Sequence, residues 1–343
     1  MTQLLTWVAI GMAVAFAALA AAIVVGRFLS DRRRERERSL RPAIETAVVE
    51  YLAAEEPTPP RLPVRKGDRD LLRTVALETI AELHGRERDR LVALLEQSGL
   101  VAETAAGLGS RRRRVRRAAA EALRQIGSEE AVRSLSTGLR DPDLDTSLTC
   151  AAALAELSDD ALLAPVLALA DRAVVARPGA VAAILITLGH RHPASIGDAL
   201  APGASLELRR LAAAAAGELR LAEHVPQLRE ALVDEDDELV ARAARGLGMI
   251  GDAGAVESLL ELAEAGDRTW FVRLAAIDAL GAIGDPRSVE PLERELNSDG
   301  WLLQAKAAKS LRMLGAAGET ALRHALDSPV TTVRDHARVA LER

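Results

Sequence analysis

The sequence predicts an all-α fold: an α-solenoid of stacked two-helix repeats with a period of about 31 residues, preceded by one N-terminal transmembrane helix. Two observations carry this. A small-residue phrase ending at Gly127 (Val115-Arg116-Arg117-Ala118-Ala119-Ala120-Glu121-Ala122-Leu123, then Ile126-Gly127) returns with its last position at Ser158, Gly189, Arg220, Gly251, Gly284 and Gly315. The steps are 31, 31, 31, 31, 33 and 31 residues. A fixed beat of that length marks units too small to bury their own faces, which must stack on their neighbours. The second observation is Leu4–Gly26, 23 residues without a charge.

At 1.5 Å per residue, those 23 residues reach about 34 Å, enough to span a bilayer core. A cleaved signal peptide is the competing reading, but it wants a positive n-region that Met1-Thr2-Gln3 lacks. Arg27, Arg32, Arg33, Arg34, Arg36, Arg38 and Arg41 follow the span. The positive-inside rule then puts the N-terminus outside and the remainder in the cytoplasm. Only three of the 44 basic residues are Lys, and this Ala/Arg bias points to a GC-rich bacterial genome. The expected location is therefore a bacterial inner membrane, crossed once. Ala9, Ala13, Ala17 and Ala21 form a small-residue ridge along the span. It reads either as a homodimer contact between transmembrane helices or as chance in an Ala-rich chain.

The expected domains are an anchor over 1–29, a basic juxtamembrane helix and Pro-rich linker over 30–67, and the solenoid over 68–343. Ser30–Arg41 either attracts anionic headgroups or serves as a topology signal. Leu40, Ile44, Val48, Tyr51 and Leu52 recur at helical spacing. That stripe is expected to cover the open first end of the array, with a dimer seam or a membrane-surface helix as alternatives. Pro57, Pro59, Pro60 and Pro63 then make a stiff extended linker.

Within one unit, Val115, Ala119, Ala122, Leu123 and Ile126 lie on one face of a first helix, which Gly127 ends. Val132, Leu135 and Leu139 give a second stripe, and Asp141-Pro142 closes the unit. Gly251-Asp252 and Gly284-Asp285-Pro286 mark further turns. The third unit is the weakest, with Pro178 in the arginine position and Pro193 opening its second helix. An earlier unit, Leu71 to Gln97, has His84 in the glycine place, and about 12 extra residues near Gly99–Gly109 separate it from the next. Val333-Arg334 to Ala340-Leu341 restarts a first helix that reads as a polar cap.

Val115-Arg116-x-x-Ala119-Ala120-x-Ala122-Leu123-x-x-Ile126-Gly127 and Val272-Arg273-x-x-Ala276-Ile277-x-Ala279-Leu280-x-x-Ile283-Gly284-Asp285-Pro286 resemble the short bacterial HEAT repeat, the PBS-lyase HEAT-like repeat. The similarity covers roughly residues 70–343. It implies a protein-binding scaffold. Because that family also includes bilin lyases and a DNA-acting branch, the fold by itself does not decide against an enzyme. A tetratricopeptide array is disfavoured, since its period is 34 and its aromatic positions are missing here.

Little chemistry is legible. Residues 1–67 hold ten Arg/Lys against seven Asp/Glu in a chain of net charge −6, so the body is acidic and general nucleic-acid binding is not expected. The single cysteine, Cys150, aligns with the small position of Ala119 and reads as a packed thiol. It also excludes an internal disulfide. His190 and His192 form a close pair in an expected inter-helix turn, without the further ligands a metal needs. No phosphate loop, nucleophile elbow or H-E-x-x-H is present. No catalytic residue, cofactor or metal is expected.

Three surface features are candidate partner sites. Arg111, Arg112, Arg113, Arg114, Arg116 and Arg117 crowd the start of a helix, where positive charge opposes the dipole. Arg116 is the repeat's own structural arginine. The others read as a site for anionic lipid, an acidic protein or, least favoured, nucleic acid, or else as solvated charge. Trp270 and Trp301 stand 31 residues apart, with Phe271 beside the first. The equivalent positions Arg113, Leu144, Val175, Leu206 and Asp237 are apolar in three of five cases, which favours inter-repeat packing over an exposed hot spot. Glu230, Glu257, Glu261, Glu290 and Glu293, joined by the run Asp234–Glu238, are expected to form an acidic face suited to a basic partner or merely solvated. The expected function is a membrane-anchored cytoplasmic scaffold. The alternative is an accessory subunit of a membrane enzyme such as a cell-surface glycosyltransferase, and a lyase-like or DNA-acting enzyme ranks last.

Overall fold

The computed structural model describes residues 35–54, 68–157 and 160–342, together with Phe16 and Arg27. The expected span Leu4–Gly26 (Phe16 apart), its alanine ridge and the linker prolines lie outside the described residues. Among the described residues every regular element is helical, and no single helix is long and apolar enough to cross a membrane. The chain divides into two units, one up to Ala131 and one from Val132.

The first unit holds α1 (residues 35–53), α2 (Arg69–Glu82), α3 (Gly85–Gln97), α4 (Leu100–Ala106), a 3-10 turn Gly107–Gly109, and α5 (Arg113–Ile126). The extra residues anticipated near Gly99–Gly109 are thus α4 and its turn. Hydrogen bonds fix the helix directions. Arg36 reaches Asp68 at the head of α2 (2.6 Å), while Arg90 near the middle of α3 donates to the Leu52 and Ala54 carbonyls at the tail of α1 (3.0 Å each). Hence α1 runs parallel to α2. Arg88 donates to the Gln125 and Ile126 carbonyls, so α5 also ends beside the start of α3. Ile44, Val48 and Tyr51 are buried, so the α1 stripe is spent inside this unit rather than on a seam.

The helix α6 (Glu129–Gly138) crosses the boundary between the units. The second unit continues with pairs α7 (Leu144–Leu157) and α8 (Leu163–Ala173), α9 (Pro178–Arg191) and α10 (Ala194–Leu200), and α11 (Leu206–Glu218) and α12 (Val225–Ala231). Then come α13 (Asp237–Ile250) and α14 (Val256–Glu264), α15 (Trp270–Ile283) and α16 (Val289–Leu296), α17 (Trp301–Met313) and α18 (Ala316–Ala325), and the single α19 (Thr331–Glu342). Each first helix packs on the next, from α7 through α9, α11, α13, α15 and α17 to α19. The 33-residue step is absorbed in α14, nine residues long against seven in α12.

Small side chains make this stacking close. A Cβ on Gly217 would lie 2.4 Å from the Cα of Gly246, and one on Gly248 would lie 2.6 Å from the Cα of Ala279. Backbone therefore meets backbone between α11, α13 and α15. The turns follow the sequence at Gly127, Gly251 and Gly284, which end their helices in the left-handed conformation (φ 66°, 83° and 79°). Gly189 differs: it is buried inside α9, which runs on to Arg191, and a Cβ there would strike Leu219. Val115 also differs. It is 41% exposed, whereas Val272 and Leu239 at the same register are fully buried. In the first unit it borders a cleft of about 450 Å³ with Arg73, Leu77, Glu103, Gly107 and Arg114, beside the inserted α4.

Candidate interaction surface

The motif arginines are structural. Arg116 donates to the Ser110 carbonyl (3.0 Å) and Arg334 to the Ser328 carbonyl (2.7 Å), each closing the loop before its own helix. Arg273 does the same towards the Ala263 carbonyl and also pairs with the buried Glu295 (2.8 Å). The acidic run at 234–238 is largely neutralised from α11 and from the loop before α15, which corrects its reading as open acidic surface. Arg209 holds Asp234 (2.9 Å), Arg210 grips Asp236 with two bonds (2.9 and 2.6 Å), and Arg268 holds Asp237 (2.9 Å). Hydrogen bonding to Arg210 keeps the Asp236 carboxyl below its usual range, and Arg268 does the same for Asp237. For Asp234 the Asp236 backbone N–H acts first and Arg209 adds to it.

On the second helices, Glu230 (α12), Glu257 and Glu261 (α14) and Glu290 (α16) are exposed, and Glu293 is half-buried. Glu264 is taken by Arg294 (2.5 Å), and Glu257 feels the charge of Arg287. An acidic residue remains on each of three successive second helices. A second cleft, about 620 Å³, lies between α6 and α8 and has Ser136, Thr137, Arg140, Pro165 and Arg172 in its walls.

The tryptophans are exposed, against the packing reading: Trp270 by 60% and Trp301 by 67%. Each is the first residue of its helix, α15 and α17. A side chain there projects past the helix end and stays outside the buried core. At the same register Leu144 and Leu206, also first in their helices, are half-buried, and Val175, in the turn before α9, is 77% exposed. Trp270 meets Phe271 edge-on (centroids 6.0 Å, 89°), and Trp301 stacks on His336 of α19 (6.2 Å, 13°). Leu302 and Val330 are exposed at the heads of α17 and α19 and went unnoticed in the sequence. Their signal was the helix-start register, not residue type. The packed helices α15, α17 and α19 thus present indole, indole and aliphatic side chains at one edge.

Arg111, Arg112, Arg113 and Arg114 are exposed, and among the described residues their side chains have no ion-pair partner. Arg117 is half-buried and has partners of its own. Cys150 is fully buried, as expected, and burial first, with Asp141 second, pushes its thiol up to about 12. His190 lies in the last turn of α9 and His192 caps it, with His192 Nδ1 3.0 Å from Asp160. No group of three metal-ligating side chains occurs among the described residues.

Residues 194–270 and 262–342 match the family of HEAT repeats, and residues 115–141 match the PBS lyase HEAT-like repeat. Residues 194–342 of the chain therefore carry HEAT repeats. No curated protein matches it. Among solved structures, the HEAT repeat chain is similar to Kap121p, with a TM-score of 0.50 and 14% identity over 87% of this chain and 41% of that one. It is similar to the karyopherin Kap121p bound to the extreme C-terminus of the protein phosphatase Cdc14p at TM-score 0.50 and 15% identity, again over 87% and 41%. The chain therefore spans about two fifths of the length of Kap121p. Human deoxyhypusine hydroxylase in complex with glycerol aligns at TM-score 0.31 and 20% identity, over 73% of this chain and 98% of that one. Likeness at these identities extends to the fold alone.

Proposed function

We propose that this HEAT repeat protein is a membrane-anchored, non-enzymatic scaffold that holds partner proteins on its second unit at the cytoplasmic face of a bacterial inner membrane. The carrying observation is the pair of exposed indoles at the heads of adjacent helices α15 and α17. Large exposed aromatics are costly to leave in water and are enriched where binding energy concentrates. A karyopherin of related fold holds a phosphatase terminus, which is consistent with this use of stacked helix pairs. The uncharged stretch Leu4–Gly26 and its arginine flank support the anchor. Tethering would raise the effective concentration of a bound partner at the membrane.

The test is affinity capture of the full chain from solubilised native membranes, beside a W270S/W301S variant of equal thermal stability. Specific partners that the variant loses would support the reading. Recovery of none, or an unchanged set from the variant, counts against it.

A further inference from the structure

We propose that one end of the first unit is an anionic-lipid docking face built on Arg111, Arg112, Arg113 and Arg114, which seats the protein flat against its own membrane. The proposal rests on the anchor reading above. Its geometry is independent of that reading.

Three helices of the unit start at the same end. Arg36 at the head of α1 bonds Asp68 at the head of α2. Arg69, the next residue, donates to the Ser98 carbonyl at the tail of α3 (2.6 Å) and to Glu103 of α4 (2.9 Å). Glu103 and Arg73 share a cleft wall with Arg114 of α5. The opposite end gathers the tails of α1 and α5 around the first half of α3, through Arg90 and Arg88. Residue 35, where the chain arrives from the anchor, and the four arginines therefore lie on one face.

The charge on that face is net positive. Three of its acidic groups are engaged, Asp68 by Arg36, Asp70 by Arg73 and Glu103 by Arg69, while Glu35 and Glu96 stand exposed. Against those two, Arg111–Arg114 still leave a surplus of positive charge, at a helix head whose dipole adds to it. Glu35 lies nine residue steps after Gly26, so even a fully extended chain keeps this face within about 30 Å of the bilayer. A tethered cationic face meets the anionic leaflet before any soluble partner. Nucleic acid fits less well, because no aromatic side chain stands among these arginines to stack a base.

The experiment uses the full chain in proteoliposomes, with an environment-sensitive fluorophore on G109C beside the cluster, or on E82C at the far end, and headgroup-quencher lipids. Cys150 is buried and stays unlabelled. In vesicles of phosphatidylcholine with one part in three phosphatidylglycerol, the residue-109 probe is expected to be quenched and the residue-82 probe not. High salt should abolish the effect. Each arginine at the surface is worth about fivefold in partitioning, so R111Q/R112Q/R113Q/R114Q should cut the quenching at least about tenfold. The corresponding quadruple lysine variant should restore it, which separates charge from fold. Equal quenching in pure phosphatidylcholine, quenching at residue 82 instead, or indifference to the glutamine changes would overturn the proposal. So would RNA or an acidic protein being the ligand that those changes release, with the vesicle signal unaltered. Alkaline carbonate extraction reads the anchor separately. If the chain washes off, the anchor reading fails, and flotation of the released chain with anionic vesicles still decides the docking face.

Discussion

Arg220 holds, at φ 53°, the helix-ending place that Gly251 fills at φ 83° one repeat later. It is the one non-glycine residue with positive φ among the described residues, and the adjacent backbone bond Leu221 N–H to the Ala216 carbonyl (2.9 Å) locks the turn. A side chain in the left-handed region costs about 1–2 kcal/mol, while glycine gives back part of this through its freer unfolded chain. Because Arg220 is exposed, its removal sacrifices no packing. R220G should therefore raise unfolding stability by about 0.5–1 kcal/mol in urea titration. A lower urea midpoint would refute the strain account.

The backbone contact between Gly217 and Gly246 gives a prediction of opposite sign. Glycine to alanine inside a helix ordinarily gains up to about 1 kcal/mol. At Gly217 the new methyl would sit 2.4 Å from the Gly246 Cα, where no side chain can swing away. G217A should lose about 1–3 kcal/mol. G179A, in the first turn of α9 with nothing within 4 Å, should hold or gain stability. If both variants behave alike, close stacking of α11 on α13 is not what the glycine serves.

The repeat was legible because burial and turn chemistry are written locally. Leu123, Ala120 and Ile126 pack at helical spacing, and Gly127 and Gly284 can adopt angles other residues resist. What failed were statements about neighbours distant in sequence. Asp234–Glu238 reads as an acidic run until Arg209, Arg210 and Arg268 arrive from 25 to 31 residues away. Trp270 and Trp301 read as core because their register carries Leu and Val elsewhere. The register is a helix head, where an apolar residue can remain exposed. Val115 shows the same limit, since its burial depends on what the inserted α4 covers.

Cys150 fills the space over Gly138, whose added Cβ would lie 2.4 Å from the sulfur. With its thiol pushed up to about 12, almost no thiolate exists in the folded chain at pH 8. A disulfide reagent should modify it only at the rate of unfolding, and at once in denaturant. The folded value lies above the unfolded one, near 9. Its stabilising contribution is therefore complete below about pH 8.5 and drains away as pH climbs towards 12. Rapid labelling of the native chain at pH 8 would mean that α6 and α7 open far more readily than their burial implies.

Asp236 joins two roles, and acid should separate them from ordinary surface charge. Its carboxylate accepts the Leu239 N–H (2.8 Å) as the cap of α13 and takes both bonds from Arg210 of α11. Both favour the ionised form, so the folded value lies below the unfolded one. The linked stability is present above the usual carboxylate range, about pH 4, and is lost as pH falls through the depressed folded value. At pH 7, D236N should therefore cost about 1 kcal/mol, less than D236A, because an amide oxygen still caps the helix. D236A loses the cap and strands Arg210, at about 1–2 kcal/mol. In acid, once the pH has fallen below the depressed folded value, the wild type has itself lost the charge, so the gap between it and D236N should close. Urea midpoints at pH 7 and in that acid decide the matter. An undiminished gap in acid would mean that packing at the α11–α13 junction, and not the ionised carboxylate, carries the contribution of Asp236.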